Sequence, residues 1–172
     1  MATVYLALGT NLGNRADNLH RALDALGRTF TVEAVSPWYE TEPAYVLDQP
    51  RFYNLVCRAT TSLKPPDVLR ALKQMESDLG RLVAVRYGPR VIDLDLLFYD
   101  DVILDRPEIT VPHPRLPERA FVLVPLADIA PKLMHPKLGL TVSDLRDRLE
   151  SEFSTVRQID STTDGTAARH NG

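Results

Sequence analysis

With 172 residues, 44% of them apolar and 25% charged, the chain has the length and balance of one globular domain around one hydrophobic core. A formal net charge of −3 leaves no global positive field with which to collect nucleic acid, so a polyanion would need a local basic patch. No stretch approaches the ~18 apolar residues of a membrane-spanning helix.

Residues 4–8 form a short apolar run ended by Gly9, the pattern of a buried strand. After the polar loop "GTNLGN", Leu19, Ala22, Leu23 and Leu26 recur at helical spacing, with Gly27 as the expected stop. "TFTVEAVSPWYETEP" reads as one β-rich strand broken at Pro43, and "RFYNLVCRATTSL" as another, joined by loop 41–50. Pro65 and Pro66 suit the first turn of a helix that Leu69, Leu72 and Leu79 carry to Gly80. "VIDLDLLFY" is then a final strand, followed by a Pro-rich connection and helices near 120–127 and 143–149. The order strand, helix, strand, strand, helix, strand predicts an α+β, ferredoxin-like split βαβ (βαββαβ) antiparallel sheet with added C-terminal helices. Residues 1–150 are expected to form one domain. Residues 151–172, rich in Ser, Thr, Gly and charge, are expected to form a disordered tail.

The single Cys57 lies in an apolar run and reads as a small buried hydrophobe. The start "MATVYLALGT" carries no basic leader, and a reducing cytoplasm is the expected compartment.

In the predicted topology residues 9–11, 52–54 and 93 meet along one edge of the sheet. Strand alternation puts Asp93 and Asp95 on one face, opposite Ile92, Leu94, Leu96 and Phe98. At ~5 Å and an effective dielectric near 20, two carboxylates repel by about 3 kcal/mol, so a cation belongs between them. That cation is either a guanidinium from Arg86 or Arg90, or a divalent ion held by hard oxygens. Arg81, Arg86 and Arg90 precede the acids without an intervening acid, and His113, Arg115 and Arg119 follow them. A metal-binding acid pair flanked by arginines is the equipment of phosphoryl transfer.

"RYGPRVIDLDLL" resembles the signature of the hydroxymethyl-dihydropterin pyrophosphokinase family. "ALGTNLGNR", "FYNLV", "ESDLGR" and "TVPHPRLPERAFVLVPLADIAP" resemble further family motifs in the same order, from about residue 2 to 131. The resemblance implies transfer of pyrophosphate from ATP to the hydroxymethyl group of a dihydropterin in folate biosynthesis, by a monomer acting on small molecules, with neither nucleic acid nor membrane as partner. It implies Asp93 and Asp95 as ligands of two Mg²⁺ ions, and Arg81 and Arg90 as catalytic arginines. The pterin would be held by Thr10, Asn11, Pro43, Ala44, Phe52, Asn54 and Phe121. A flat heteroaromatic suits offset stacking, and an Asn amide offers both a donor and an acceptor. ATP would be met by Lys73, Glu76, Arg81, Arg86, Tyr87, Arg90, Leu96, Ile109, Thr110, His113 and Arg119.

The departures from the family pattern fall on the nucleotide side. Tyr87 stands for a common Trp, Val83 for a second loop arginine, Lys73 for a glutamine, and Glu108 for an arginine of some members. From the residues alone two other classes stay open. One is a Mg²⁺-dependent nucleotidyl or glycosyl transferase using D-x-D, and the other a non-catalytic pterin- or nucleotide-binding module.

Overall fold

Apolar runs and helical stripes resolve into β1 (Ala2–Thr10), α1 (Arg15–Thr29), β2 (Thr31–Val35), β3 (Trp38–Thr41), β4 (Phe52–Thr61), α2 (Pro65–Asp78), β5 (Asp93–Tyr99), β6 (Leu104–Arg106), β7 (Ile109–Val111), α3 (Ala120–Ile129), α4 (Val142–Asp147) and β8 (Val156–Ile159). The computed structural model describes residues 1–80 and 90–160. Among these residues the main sheet has the order β5-β1-β4-β3-β8 with β2 also on β4, and β6 and β7 form a separate hairpin. Its strand pairs are antiparallel. The fold is mixed, with helices on both faces of an antiparallel sheet.

One face carries Val4, Leu6, Leu8, Leu55, Cys57, Ala59, Leu94 and Leu96 against Leu19, Ala22 and Leu26 of α1 and Val68, Leu72 and Met75 of α2. Each fully buried leucine there contributes about 1.5–3 kcal/mol. Helix α1 starts at its Asn14 cap, whose Oδ1 accepts from Asp17 N at 3.1 Å. It continues through Gly27 to Thr29, past the expected stop, because the apolar stripe reaches Leu26 and Phe30 caps it by donating N–H to the Leu26 carbonyl. Helix α2 begins on Pro65, and beyond its end Gly80 takes φ +96°, a left-handed turn that favours glycine. The other face of the sheet packs Tyr5, Ala7, Val56, Leu97 and Phe98 against α3 and α4.

Three expectations are corrected. The strand predicted across residues 29–43 is two strands, β2 ending at Val35 and β3 starting at Trp38, with Pro37, which has no N–H to donate, between them. There the Ser36 hydroxyl accepts the Val56 N–H at 2.9 Å in place of a backbone carbonyl. Phe98 does not share a face with Leu94 and Leu96. Tyr5 pairs with Phe98 but Leu6 with Leu96, and this bulge at Leu97 reverses the parity of everything after it. Finally, the tail expected from residue 151 is ordered as far as 159. A 3₁₀ turn leads into β8, which pairs with the edge of β3 from Trp38↔Ile159 to Thr41↔Val156. Backbone pairing holds this segment where apolar periodicity is weak, and only Val156 is buried. Residues 161–172 of the expected tail lie outside the described residues.

Candidate active site

Cross-strand register builds the floor of a cleft on the sheet face away from α1 and α2. Asp93 pairs with Gly9 and Gly9 with Asn54, which sets a carboxylate, a missing side chain and an amide in one row. The next residue of β5 on that face, Asp95, pairs with Ala7. Small residues at positions 7 and 9 leave a trough between the acids of β5 and the amide of β4. Gly9 is required there, because a Cβ would stand 2.7 Å from Asn54 Oδ1. The Asn54 amide is held from its other end, where Nδ2 donates to Thr41 Oγ1 at 2.5 Å.

The start of α3 and loop 42–50 wall the trough into a cavity of about 270 Å³. Phe52, Asn54, Ala44 and Phe121 line it together with Arg90, Asp93, Asp95, His113 and Arg119. Small-molecule sites run from about 300 to 1,000 Å³, so this space is on the scale of one small fused-ring molecule.

The carboxylate end is electrostatically tense. Burial first, and the Asp93 charge second, push the Asp95 carboxyl up to about 7, against the opposing pull of Arg119 and Lys73. Arg119 Nη1 lies 3.7 Å from Asp95 Oδ2, so α3's N-terminal cap brings a guanidinium to Asp95. His113 is pushed down to about 4, chiefly by burial and then by Arg119, and is neutral near pH 7. Its Nδ1 accepts from Arg115 N at 3.2 Å, which assigns the proton to Nε2 as a donor.

Among the described residues, three or more His, Cys, Asp or Glu side chains gather nowhere as a metal cage. Two adjacent hard carboxylates with charge to spare nevertheless fit Mg²⁺, which is usually held by one or two carboxylates together with phosphate oxygens.

Ala44, Phe52, Asn54, Phe121, Arg90, Asp93, Asp95, His113 and Arg119 of the expected set meet at this cleft. Thr10 and Asn11 sit behind its wall. Thr10 is fully buried and its hydroxyl accepts from Asn18 Nδ2 at 3.0 Å. Asn11 ties two loops together, donating through Nδ2 to Gln49 Oε1 and the Pro50 carbonyl, both at 2.9 Å. Its Oδ1 accepts the Arg90 N–H at 2.8 Å, and its own N–H reaches the Arg90 carbonyl at 3.0 Å. Pro43 lines an adjoining recess. Glu76 is buried with Lys73 Nζ at 3.5 Å, and its Oε2 accepts the Leu94 N–H at 2.7 Å. The side chains of Leu96 and Ile109 are buried in the α1/α2 core. Thr110 lines a separate recess that His113 shares. Arg81, Arg86, Tyr87 and Val83 lie outside the described residues.

Sequence reasoning missed Thr41, Tyr45 and Gln49, which also line the cleft. Thr41 was within reach, since strand alignment puts it opposite Phe52 and on the face of Asn54.

The family model for 7,8-dihydro-6-hydroxymethylpterin-pyrophosphokinase matches residues 5–131, a span that contains every expected site residue. The folic acid synthesis protein FOL1 of Dictyostelium discoideum is 42% identical over 143 residues, covering 83% of this chain and 22% of that protein. The 2-amino-4-hydroxy-6-hydroxymethyldihydropteridine pyrophosphokinase of Pseudomonas aeruginosa is 46% identical over 135 residues, covering 77% of this chain and 83% of that one. A crystal structure of wild-type Plasmodium falciparum HPPK-DHPS with SDX-DHP superposes with a TM-score of 0.71 at 18% identity, over 92% of this chain and 47% of that one. The last likeness is one of fold. The chain spans about a fifth of the length of the Dictyostelium relative and most of the length of the Pseudomonas one.

Proposed function

We propose, from the premise that the chain belongs to the 7,8-dihydro-6-hydroxymethylpterin-pyrophosphokinase family, that it transfers pyrophosphate from ATP to the hydroxymethyl group of 6-hydroxymethyl-7,8-dihydropterin and releases AMP. The observation that carries this reading is the row Asp93, Gly9, Asn54, which joins a carboxylate pair to an amide-and-aromatic seat within one cleft. A D-x-D transferase of another class gives no reason for Asn54, Phe52 and Phe121 to face the acids.

The pterin ring stacks in the seat of Phe52 and Phe121, with Asn54 addressing its amide-like edge. Thr41 fixes the orientation of that amide through its hydrogen bond. The substrate hydroxyl then faces the β-phosphorus of ATP. Its oxygen bonds to that phosphorus, the bond from the β-phosphorus to the bridging oxygen breaks, and AMP leaves as the hydroxyl proton passes to solvent. Asp93 and Asp95 would hold two Mg²⁺ ions, which when bound neutralise charge on the phosphates. Arg90, its backbone clamped by Asn11, and Arg81 steady the transferred group. His113 donates from Nε2 and Arg119 supplies a guanidinium on the same side. Closure of the surrounding loops keeps out water that would otherwise hydrolyse ATP.

We read the sheet as a ferredoxin-like split βαβ, supported by its strand order, with β2 and β3 as one interrupted strand. We assign residues 1–150 to one catalytic domain, extended by β8, acting as a cytoplasmic monomer. Among the described residues, no helix is long and apolar enough to cross a membrane. The test is AMP formation from ATP with and without the dihydropterin alcohol. AMP that appears only with the pterin supports the reading, whereas release of pyrophosphate or ADP contradicts it.

A further inference from the structure

Tyr45 stands on the loop between β3 and β4 and joins it to the start of α3. Its hydroxyl accepts from Arg119 Nε at 3.2 Å and donates to Glu118 Oε1 at 3.1 Å. The Arg119 Cζ lies 5.6 Å from the Tyr45 ring centroid and 5.6 Å from that of Phe121, while Nη1 reaches Asp95. The side chain of Arg119 is 12% exposed. A guanidinium is a rigid plane of five donors, so fixing Nε and holding rings against it determines where the two Nη groups point. Here Nη1 lies 3.7 Å from Asp95 Oδ2, at the carboxylate end of the cleft.

We propose that Tyr45 is a positioning residue that aims the Arg119 guanidinium at phosphate oxygens beside Asp93 and Asp95, so that the loop closing the ring-binding end of the cleft also sets its anion-binding end. Phe121 belongs to both ends, as a wall of the ring seat and as a neighbour of the Arg119 plane. The loop carrying Tyr45 is tied at its start by the Glu42 N–H to the Thr155 carbonyl and at its far end to Asn11 through Gln49 and Pro50, so Tyr45 anchors it between those two points. An occupant of the ring seat that settles this loop therefore raises affinity for the anion, and the anion raises affinity for the ring by the same factor. The identity of the anion as ATP rests on the pyrophosphokinase reading; the link from Tyr45 to Arg119 does not.

The test is a double-mutant cycle on the full chain with Tyr45→Phe, Arg119→Lys and the pair. Calorimetry measures binding of α,β-methylene ATP with Mg²⁺, and fluorescence measures 6-hydroxymethylpterin alone. Tyr45→Phe keeps the ring and removes the hydroxyl. It is expected to weaken the nucleotide analogue about fivefold to tenfold in the wild type and less than about twofold in the Arg119→Lys background. Pterin affinity without nucleotide stays within about twofold, because the substitution keeps the aromatic ring that lines the cleft and leaves Phe52, Asn54 and Phe121 in place. Equal losses in both backgrounds, an equal loss of pterin binding, or an analogue that does not bind the wild type would overturn the proposal. A wild type that forms no AMP while the cycle still couples contradicts the reaction and leaves the role of Tyr45 standing. AMP formation with an uncoupled cycle does the reverse.

Discussion

On the face toward α1 and α2, strands β1, β4 and β5 present Leu6, Leu8, Leu55, Cys57 and Leu94, all buried to within 1%. On the opposite face the intervening residues of the same strands are Ala7, Gly9, Asn54, Asp93 and Asp95. The period of two that fills one side empties the other. One face supplies packing energy, and the second uses that rigidity to hold two acids, an amide and a void in register, a costly arrangement that a loose sheet could not keep.

Substitutions on the two faces should therefore separate stability from chemistry. The largest expected loss of stability comes from Leu19→Ala on the closed side, about 2–5 kcal/mol by chemical denaturation, with AMP formation by the folded fraction unchanged within about twofold. On the open side, Gly9→Ala drives a methyl into Asn54 Oδ1. It should cost only about 1–3 kcal/mol of stability and yet weaken pterin binding at least about tenfold by fluorescence titration.

Asn11→Ala removes the side-chain bonds to Gln49, Pro50 and Arg90. A stability loss of about 1–3 kcal/mol is expected, with faster amide exchange in loop 42–50 than in α1, whereas uniform exchange would deny that Asn11 is a local clamp. The smallest effect is a slope with pH. Burial pushes the Cys57 thiol up to about 12, so above its unfolded value near 8.5 the unfolded chain ionises first and the folded chain holds the extra proton. Stability is complete below about pH 8.5 and falls by up to about 1.4 kcal/mol per pH unit between there and about 12; Cys57→Ala should show a shallower slope over the same window.

The convergence of residues 9–11, 52–54 and 93 was legible because alternation and chain order determine which strand ends meet. The mixed fold with an antiparallel sheet was legible from the order of strand and helix patterns, and the family from five ordered motifs that resemble it. Phe98 was not, since one extra residue at Leu97 inverts the parity and no local residue type announces it. The cation between the acids was expected from Arg86, Arg90 or a divalent ion; Arg86 lies outside the described residues, and Arg119, which α3 returns to the sheet from far along the chain, was not among those expected for that place. β8 escaped because an edge strand can be held by backbone pairing with little apolar pattern. Tyr45 escaped because its meaning lies in contacts between two loops.

The most direct test is Asp95→Asn, measured for both metal-free stability and AMP formation. In the metal-free wild type, an Asp95 carboxyl raised to about 7 costs the fold stability as pH climbs from about 4 toward 7, since the unfolded chain gives up its proton first. The variant lacks that charge, so at pH 8 it should be more stable by about 1–3 kcal/mol while AMP formation falls about a thousandfold. A variant that loses stability, or that keeps full activity, would mean that Asp95 serves as a structural partner of Arg119 rather than as a seat for the reaction.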